Sequence, residues 1–264
     1  MEKFKNILDS KYYDKPSVFK PENLLREGRR QKGISKGVVP SICILDPDGD
    51  IVRYLKKREK VSANGFWACY HTELFNFTFE GVEYVIIGNA VGGSFAVLLA
   101  EQLFVSGCKL LINITSAGVI SDSMDLPRFL IIEKALRDEG TSYHYLPPAP
   151  YAYINASVLD SLRNATKPID NKEIGFGTSW TTDAPYRETA ETIDYMKESG
   201  NDCVEMESAA LYAFAQVKKV KILCIAHLTN TMAQNEGDFE KGEEFGSIDS
   251  IKAIHFIAGK LEAV

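Results

Sequence analysis

No apolar run in this chain reaches the length of about 20 residues that a membrane-crossing helix needs, so no membrane partner is expected. The five cysteines, Cys43, Cys69, Cys108, Cys203 and Cys224, are scattered among apolar neighbours with no CxxC pair. An odd count without paired spacing points to reduced, buried thiols and a cytoplasmic protein. The four histidines, His71, His144, His227 and His255, show no metal-ligand spacing, so no metal is expected. The opening residues, Met1-Glu2-Lys3-Phe4-Lys5, lack the apolar core of a signal peptide. Positive charge is also short: 30 Lys and Arg stand against 36 Asp and Glu, a net charge of −6. That balance excludes the basic face of a general nucleic-acid binder. A small anion held in a local pocket remains compatible with it. Internal repeats and low-complexity tracts are missing as well.

What is present suits one large α/β domain. The 264 residues are 45% hydrophobic and 25% charged, enough for a full core without metals or disulfides. Residues 1–38 read as a polar N-terminal arm with one short helix near residues 23–33, and residues 39–264 as the domain. A first core strand over 39–45 ends in the turn Asp46-Pro47-Asp48-Gly49-Asp50, with Arg53 four residues beyond Gly49. Glycine lets backbone amides approach an anion, and the arginine supplies a charged fork. Residues 75–79 and 82–88 form a hairpin about Glu80-Gly81. A helix over 94–105 and a strand over 109–115 follow, the latter closed by the small turn Ser116-Ala117-Gly118. Further strands are expected at 129–133, 173–180 and 221–228, with helices at 154–165, 190–199 and 247–261. The loop 137–148 is long for a connection. The loop 181–189, at a strand end, suits the reading of an aromatic ligand. The acidic segment 234–246 reads as an exposed loop.

The distinctive stretch is Cys203-Val204-Glu205-Met206-Glu207-Ser208-Ala209-Ala210, a short strand passing directly into an apolar helix. Either Glu205 and Glu207 share a face in extended geometry, or Glu207 lies in the first helical turn, where the dipole favours its charge. A carboxylate can accept from both hydroxyls of a vicinal diol such as that of ribose.

These pieces in this order resemble the nucleoside phosphorylases of the uridine phosphorylase and purine nucleoside phosphorylase superfamily. Val204-Glu205-Met206-Glu207-Ser208-Ala209-Ala210 resembles its ribose-binding signature. Arg137-Asp138-Glu139-Gly140-Thr141-Ser142-Tyr143-His144-Tyr145 is similar to the uridine phosphorylase branch, and Gly49-Asp50-Ile51-Val52-Arg53 has the spacing of the first phosphate loop. The resemblance runs from about Val39 to the C-terminus. It implies a single domain whose central, mixed, partly closed sheet is surrounded by helices. It implies a pentosyltransferase that cleaves the N-glycosidic bond of a nucleoside with inorganic phosphate, giving free base and ribose 1-phosphate without a cofactor. Positioning and electrostatics would do most of the work, because the sugar gains positive charge as the base leaves.

Carried over residue by residue, the resemblance assigns Arg53 and Glu207 to catalysis and Gly49, Arg53 and Ser116 to phosphate. Glu205, Met206, Glu207 and His71 fall to the ribose. Ala117, Gly118, Thr182, Asp183, Arg187 and Asn230 fall to the base. It also implies a homodimer or homohexamer with sites shared across the interface, for which Phe66-Trp67 and Tyr70-His71 are a candidate contact. Three positions depart from the family. Asn113 stands where an arginine is usual, Ser94-Phe95 where Pro-Ser follows the paired glycines, and Asn230 where purine-specific relatives place an aspartate. An amide cannot act as an acid, so a pyrimidine or non-standard nucleoside is favoured over a purine. Loss of the arginine keeps two alternatives open: a phosphate-independent nucleosidase, and a non-catalytic nucleoside-binding homologue.

Overall fold

Continuous and alternating apolar runs decide where the strands fall. The computed structural model describes residues 8, 11–122, 128–163, 174–232 and 236–261. Among the described residues ten strands make one mixed sheet. Its centre is β5 (Leu110–Val119), which pairs in parallel with β1 (Ile42–Asp46) and β10 (Lys221–Asn230) and antiparallel with β9 (Cys203–Glu205). From β10 the sheet continues through β6 (Phe129–Asp138) and β8 (Ile174–Thr182) and returns to β9, closing a five-strand ring. On the other side β1 carries β4 (Val82–Gly88), β3 (Phe75–Phe79) and the short β2 (Ser62–Ala63) as an open wing. The short β7 (Tyr151–Tyr153) edges β6. The sheet is therefore partly closed, as expected. The β3–β4 hairpin turns on Glu80 and Gly81, both at positive φ (47° and 81°), the two-residue geometry that follows strand twist.

Among the described residues seven α-helices accompany this sheet. They are α1 (Pro21–Lys32), α2 (Asp50–Lys57), α3 (Gly93–Val105), α4 (Ala156–Arg163), α5 (Ala190–Glu198), α6 (Ser208–Lys218) and α7 (Ser247–Leu261). The core lies between sheet and helices. Ile44, Leu45, Ile86, Ile87, Leu99 and Phe214 are all essentially inaccessible, and burying each such side chain contributes about 1.5–3 kcal/mol. Helix α6 is apolar on nearly every side because β6, β10 and α3 enclose it. At Gly93 an added Cβ would lie 2.8 Å from the Cβ of Ala210, so this glycine sets how closely α3 and α6 approach. All five cysteines are buried and free. No helix among the described residues is long and apolar enough to cross a membrane.

Several expected boundaries move. The turn at 46–50 opens directly into α2, which was not foreseen. The Asp46 carboxylate makes that start possible by accepting from Gly49 N at 3.0 Å and Val52 N at 3.0 Å. Ser116-Ala117-Gly118 is strand rather than turn, because Gly118 pairs with Val204 on one side and Asn230 on the other. Strand β6 likewise extends through Arg137 and Asp138, since β8 pairs with it to that point. The expected arm helix is α1, and it packs on α3 of its own domain, with Leu25 buried. The ends of the expected helix at 154–165 and of the strand at 173–180 lie partly outside the described residues.

Candidate functional site

The strand ends of β1, β5 and β10 and the β9–α6 junction converge on one cluster of polar side chains. At the junction the chain leaves extended geometry at Met206, so the two carboxylates part company. Glu205 accepts from Glu207 N (2.7 Å), Ser208 N (2.8 Å), the Ser179 hydroxyl (3.0 Å) and the Thr181 hydroxyl. The Thr181 hydroxyl in turn accepts from Ala209 N. Glu205 thus satisfies the first amides of α6 with its side chain, and its oxygens are committed to the chain rather than presented to a ribose. Glu207 is the N-cap residue of α6 and points the other way, accepting from Gly92 N at 2.7 Å at the start of α3. Its second oxygen makes no hydrogen bond of ordinary geometry with the protein, although the residue is only 1% exposed and the Thr115 hydroxyl stands near the carboxylate. Burial, then the neighbouring Glu205 charge, push its pKa up to about 8, against the opposing Gly92 amide and Thr115 hydroxyl.

The β1–α2 turn forms the other half. Gly49 is left-handed, with φ 72°, and its amide donates to the Asp46 carbonyl and carboxylate, so it is not free for an added anion. Burial lifts Asp46 to about 7, with the Asp48 and Asp50 charges adding to it. Arg53 lies on the exposed side of α2, donating to the Asp48 carbonyl at 2.8 Å and the Asp50 carboxylate at 2.5 Å. Ser116 does reach the cluster, but it holds Asp48: its amide and hydroxyl both donate to Asp48 Oδ2, at 3.0 and 2.5 Å. Lys241 completes the set, with Nζ 3.2 Å from Asp48 Oδ2 and 2.6 Å from Asp50 Oδ2. A cavity of about 10 Å³, the size of one water, lies among Asp46, Asp48, Ser116, His227 and Lys241. His227 is held neutral, pushed down to about 4 by burial and by the Arg128 and Lys241 charges.

Asn113 stands in mid-strand on β5, fully buried, and neither atom of its amide has a protein partner. It brings no positive charge to the cluster.

The expected base side is partly assembled. Ala117 and Gly118 continue β5, and a Cβ on Gly118 would meet Met232 Sδ at 2.9 Å and Asn230 Oδ1 at 3.3 Å. Asn230 Oδ1 already accepts from Met232 N. Behind them a small second core joins Ile120, Trp180, Met196 and Val204. Thr182 is buried and accepts from Ala184 N, while Asp183 accepts from Gly140 N and so ties the 181–189 loop to the 137–148 loop. Arg187 is exposed on a single 3-10 turn. His71 is not with Glu207; it lines a separate cleft of about 460 Å³ with Lys32, Tyr70, Asn89 and Phe95. Phe66 and Tyr70 beside it are each 40% exposed, whereas Trp67 is buried.

Sequence reasoning missed Asp48, Lys241 and Glu139. Asp48 was visible only as a turn residue. Lys241 sits in the segment read as an exposed loop, yet Arg128 grips its carbonyl at 2.7 Å and carries it to the strand ends. The first residues of that segment, 234 and 235, lie outside the described residues. Glu139 is buried beside Gly93 and accepts from Ser142 N, while Arg137 holds the Leu146, Pro147 and Ala149 carbonyls.

Comparison with known proteins adds to this geometry. The family model described as Phosphorylase superfamily matches residues 41–258. A guanosine phosphorylase of Halorubrum lacusprofundi is 24% identical over 173 residues, covering 65% of this chain and 71% of the relative. A uridine phosphorylase of Thermococcus kodakarensis is 23% identical over 237 residues, covering 80% and 84%. Among solved structures, uridine phosphorylase of Vibrio fischeri complexed with 6-hydroxy-1-naphthoic acid superposes with a TM-score of 0.68 at 20% identity, covering 86% of this chain and 93% of that one. Purine nucleoside phosphorylase of Toxoplasma gondii in complex with immucillin-H gives 0.67 at 17%, covering 84% and 90%. The two solved structures share the fold.

Proposed function

The chain belongs to the phosphorylase superfamily, and on that premise we propose that it is a pentosyltransferase-type enzyme that breaks the N-glycosidic bond of a nucleoside. One observation carries the reading. The buried Glu207 keeps an oxygen without a hydrogen-bond partner at the start of α6, with its other oxygen on Gly92 N. A ribose diol is the chemistry that satisfies such an oxygen. Once Glu207 is ionised it accepts from the sugar hydroxyls, and its negative charge favours the cationic character that the sugar develops as the base departs. Asn230 can hydrogen-bond the base without protonating it, which favours a pyrimidine or non-standard base. No organic cofactor or metal enters the reaction as proposed.

Inorganic phosphate is the acceptor that the relatives' names suggest. Transfer to water is a second reading, favoured by Asn113, which supplies no charge, and by the carboxylate already on Ser116. A homodimer or homohexamer is part of the proposal, supported by the exposed Phe66 and Tyr70 beside the His71 cleft. The test is a nucleoside panel incubated with purified protein, with base release followed by chromatography. Release of a free base from at least one nucleoside is expected, and a panel that stays intact would overturn the reading.

A further inference from the structure

We propose that Asp48 determines the acceptor: its carboxylate is a built-in occupant of the anion cradle at Ser116, so inorganic phosphate is excluded and the ribosyl group passes to water. This rests on the nucleoside-cleaving reading above and names the co-substrate of the same site. A backbone amide, a hydroxyl and an ammonium converging on one oxygen are an anion-binding set whatever anion fills it. Here all three are directed at Asp48 Oδ2, from Ser116 N (3.0 Å), Ser116 Oγ (2.5 Å) and Lys241 Nζ (3.2 Å). A phosphate would have to displace the carboxylate and then sit among Asp46, Asp48 and Asp50.

The cations that would offset those charges are engaged. Lys241 is bound to Asp50 as well as Asp48, and Arg53 is held on the outer side of α2 by Asp50 and the Asp48 carbonyl. Asn113 adds none. Lys241 and Arg53 are already matched by the Asp48 and Asp50 carboxylates, so the cradle has no surplus positive charge with which to draw in a second anion. A neutral acceptor needs none, and the water-sized cavity beside Asp48 has polar walls. In the resulting reaction the C1′–N bond breaks with its electron pair going to the base. The water oxygen forms the new bond to C1′, and one water proton ends on the base, giving free base and ribose.

The experiment has two arms on wild type, Asp48→Ala and the near-isosteric Asp48→Asn. In the first, nucleoside turnover is run with and without millimolar phosphate, and the sugar product is identified. Wild type is expected to give free ribose at a rate that phosphate does not change. In the second, phosphate binding is measured by calorimetry without nucleoside. Both variants are expected to bind phosphate at least about tenfold more tightly than wild type, as one charge-assisted cradle becomes free. Ribose 1-phosphate from the wild type, or unchanged phosphate affinity in both variants, overturns the proposal. Absence of turnover in every protein would instead sink the nucleoside-cleaving reading, while the calorimetric arm would still decide who occupies the cradle.

Discussion

The two halves of this site use carboxylates in opposite ways. At the β9–α6 junction, Glu205 takes up the local donors and so leaves Glu207 with an unmatched oxygen, buried and raised to about 8. At the β1–α2 turn, every carboxylate is matched: Asp46 to helix amides, Asp48 to Ser116 and Lys241, Asp50 to Arg53 and Lys241. An unmatched buried polar group costs stability and is retained where a ligand can satisfy it. The difference is that the half proposed to take the sugar keeps a carboxylate oxygen open, whereas the carboxylates of the half proposed to take the acceptor are already satisfied from within.

The comparison breaks first at Glu207. Glu207→Ala removes a charged acceptor from two hydroxyls, each such bond contributing about 1.5–3 kcal/mol. A loss of about a thousandfold in kcat/KM for base release is expected, with the circular dichroism spectrum unchanged. Activity kept within about tenfold would remove the sugar half from the comparison.

Glu205→Ala tests the opposite role. It leaves two buried hydroxyls and two amides without their acceptor, at about 1–3 kcal/mol each. A destabilisation of about 3 kcal/mol or more in denaturant titration is expected, with a fall of roughly 10 °C in Tm. A variant that melts like wild type but fails to bind nucleoside would return Glu205 to the ribose.

Protonation sharpens the contrast further. Glu207 has to ionise to accept from both hydroxyls, so kcat/KM should rise with pH about a midpoint near 8, and Glu207→Gln should lose that limb. Asp46 acts on stability instead. Its folded pKa, about 7, lies above the ordinary 3.8, so its contribution is full below about pH 4 and is lost as pH rises through 7. Thermal melts across that window should fall for wild type and fall less steeply in Asp46→Asn, since the raised Glu188 and Glu207 remain.

Arg53→Ala should have the smallest effect. The guanidinium is largely exposed and paired on the surface, where such pairs contribute about 0–1 kcal/mol. Base release within about fivefold of wild type is expected. A collapse of activity would show that Arg53 swings inward to an acceptor anion, and the acceptor half would then resemble the sugar half.

Much of this was legible along the chain because the signals are local. The β3–β4 hairpin needed only two alternating runs and Glu80-Gly81. The β9–α6 junction needed only its own short strand and the apolar helix that follows. The family resemblance rested on the order of strands and helices, the Val204-to-Ala210 stretch, the 137–145 loop and the spacing of Gly49 and Arg53. Roles inside the cluster were not legible, since they depend on partners far away in sequence. Glu205 and Glu207 look equivalent until Thr181 and Gly92 claim one oxygen set each. Ser116 looks like a free donor until Asp48, 68 residues earlier, is found on it.

The sequence by itself determined the architecture, because apolar periodicity and turn residues act over a few positions. It also singled out the carboxylates at residues 205 and 207 as candidates. Only the tertiary structure told them apart. Closing the ring through β9 and bringing Lys241 back to β1 set the distances at which charges either pair or stay open, and electrostatics depends on those distances rather than on order along the chain.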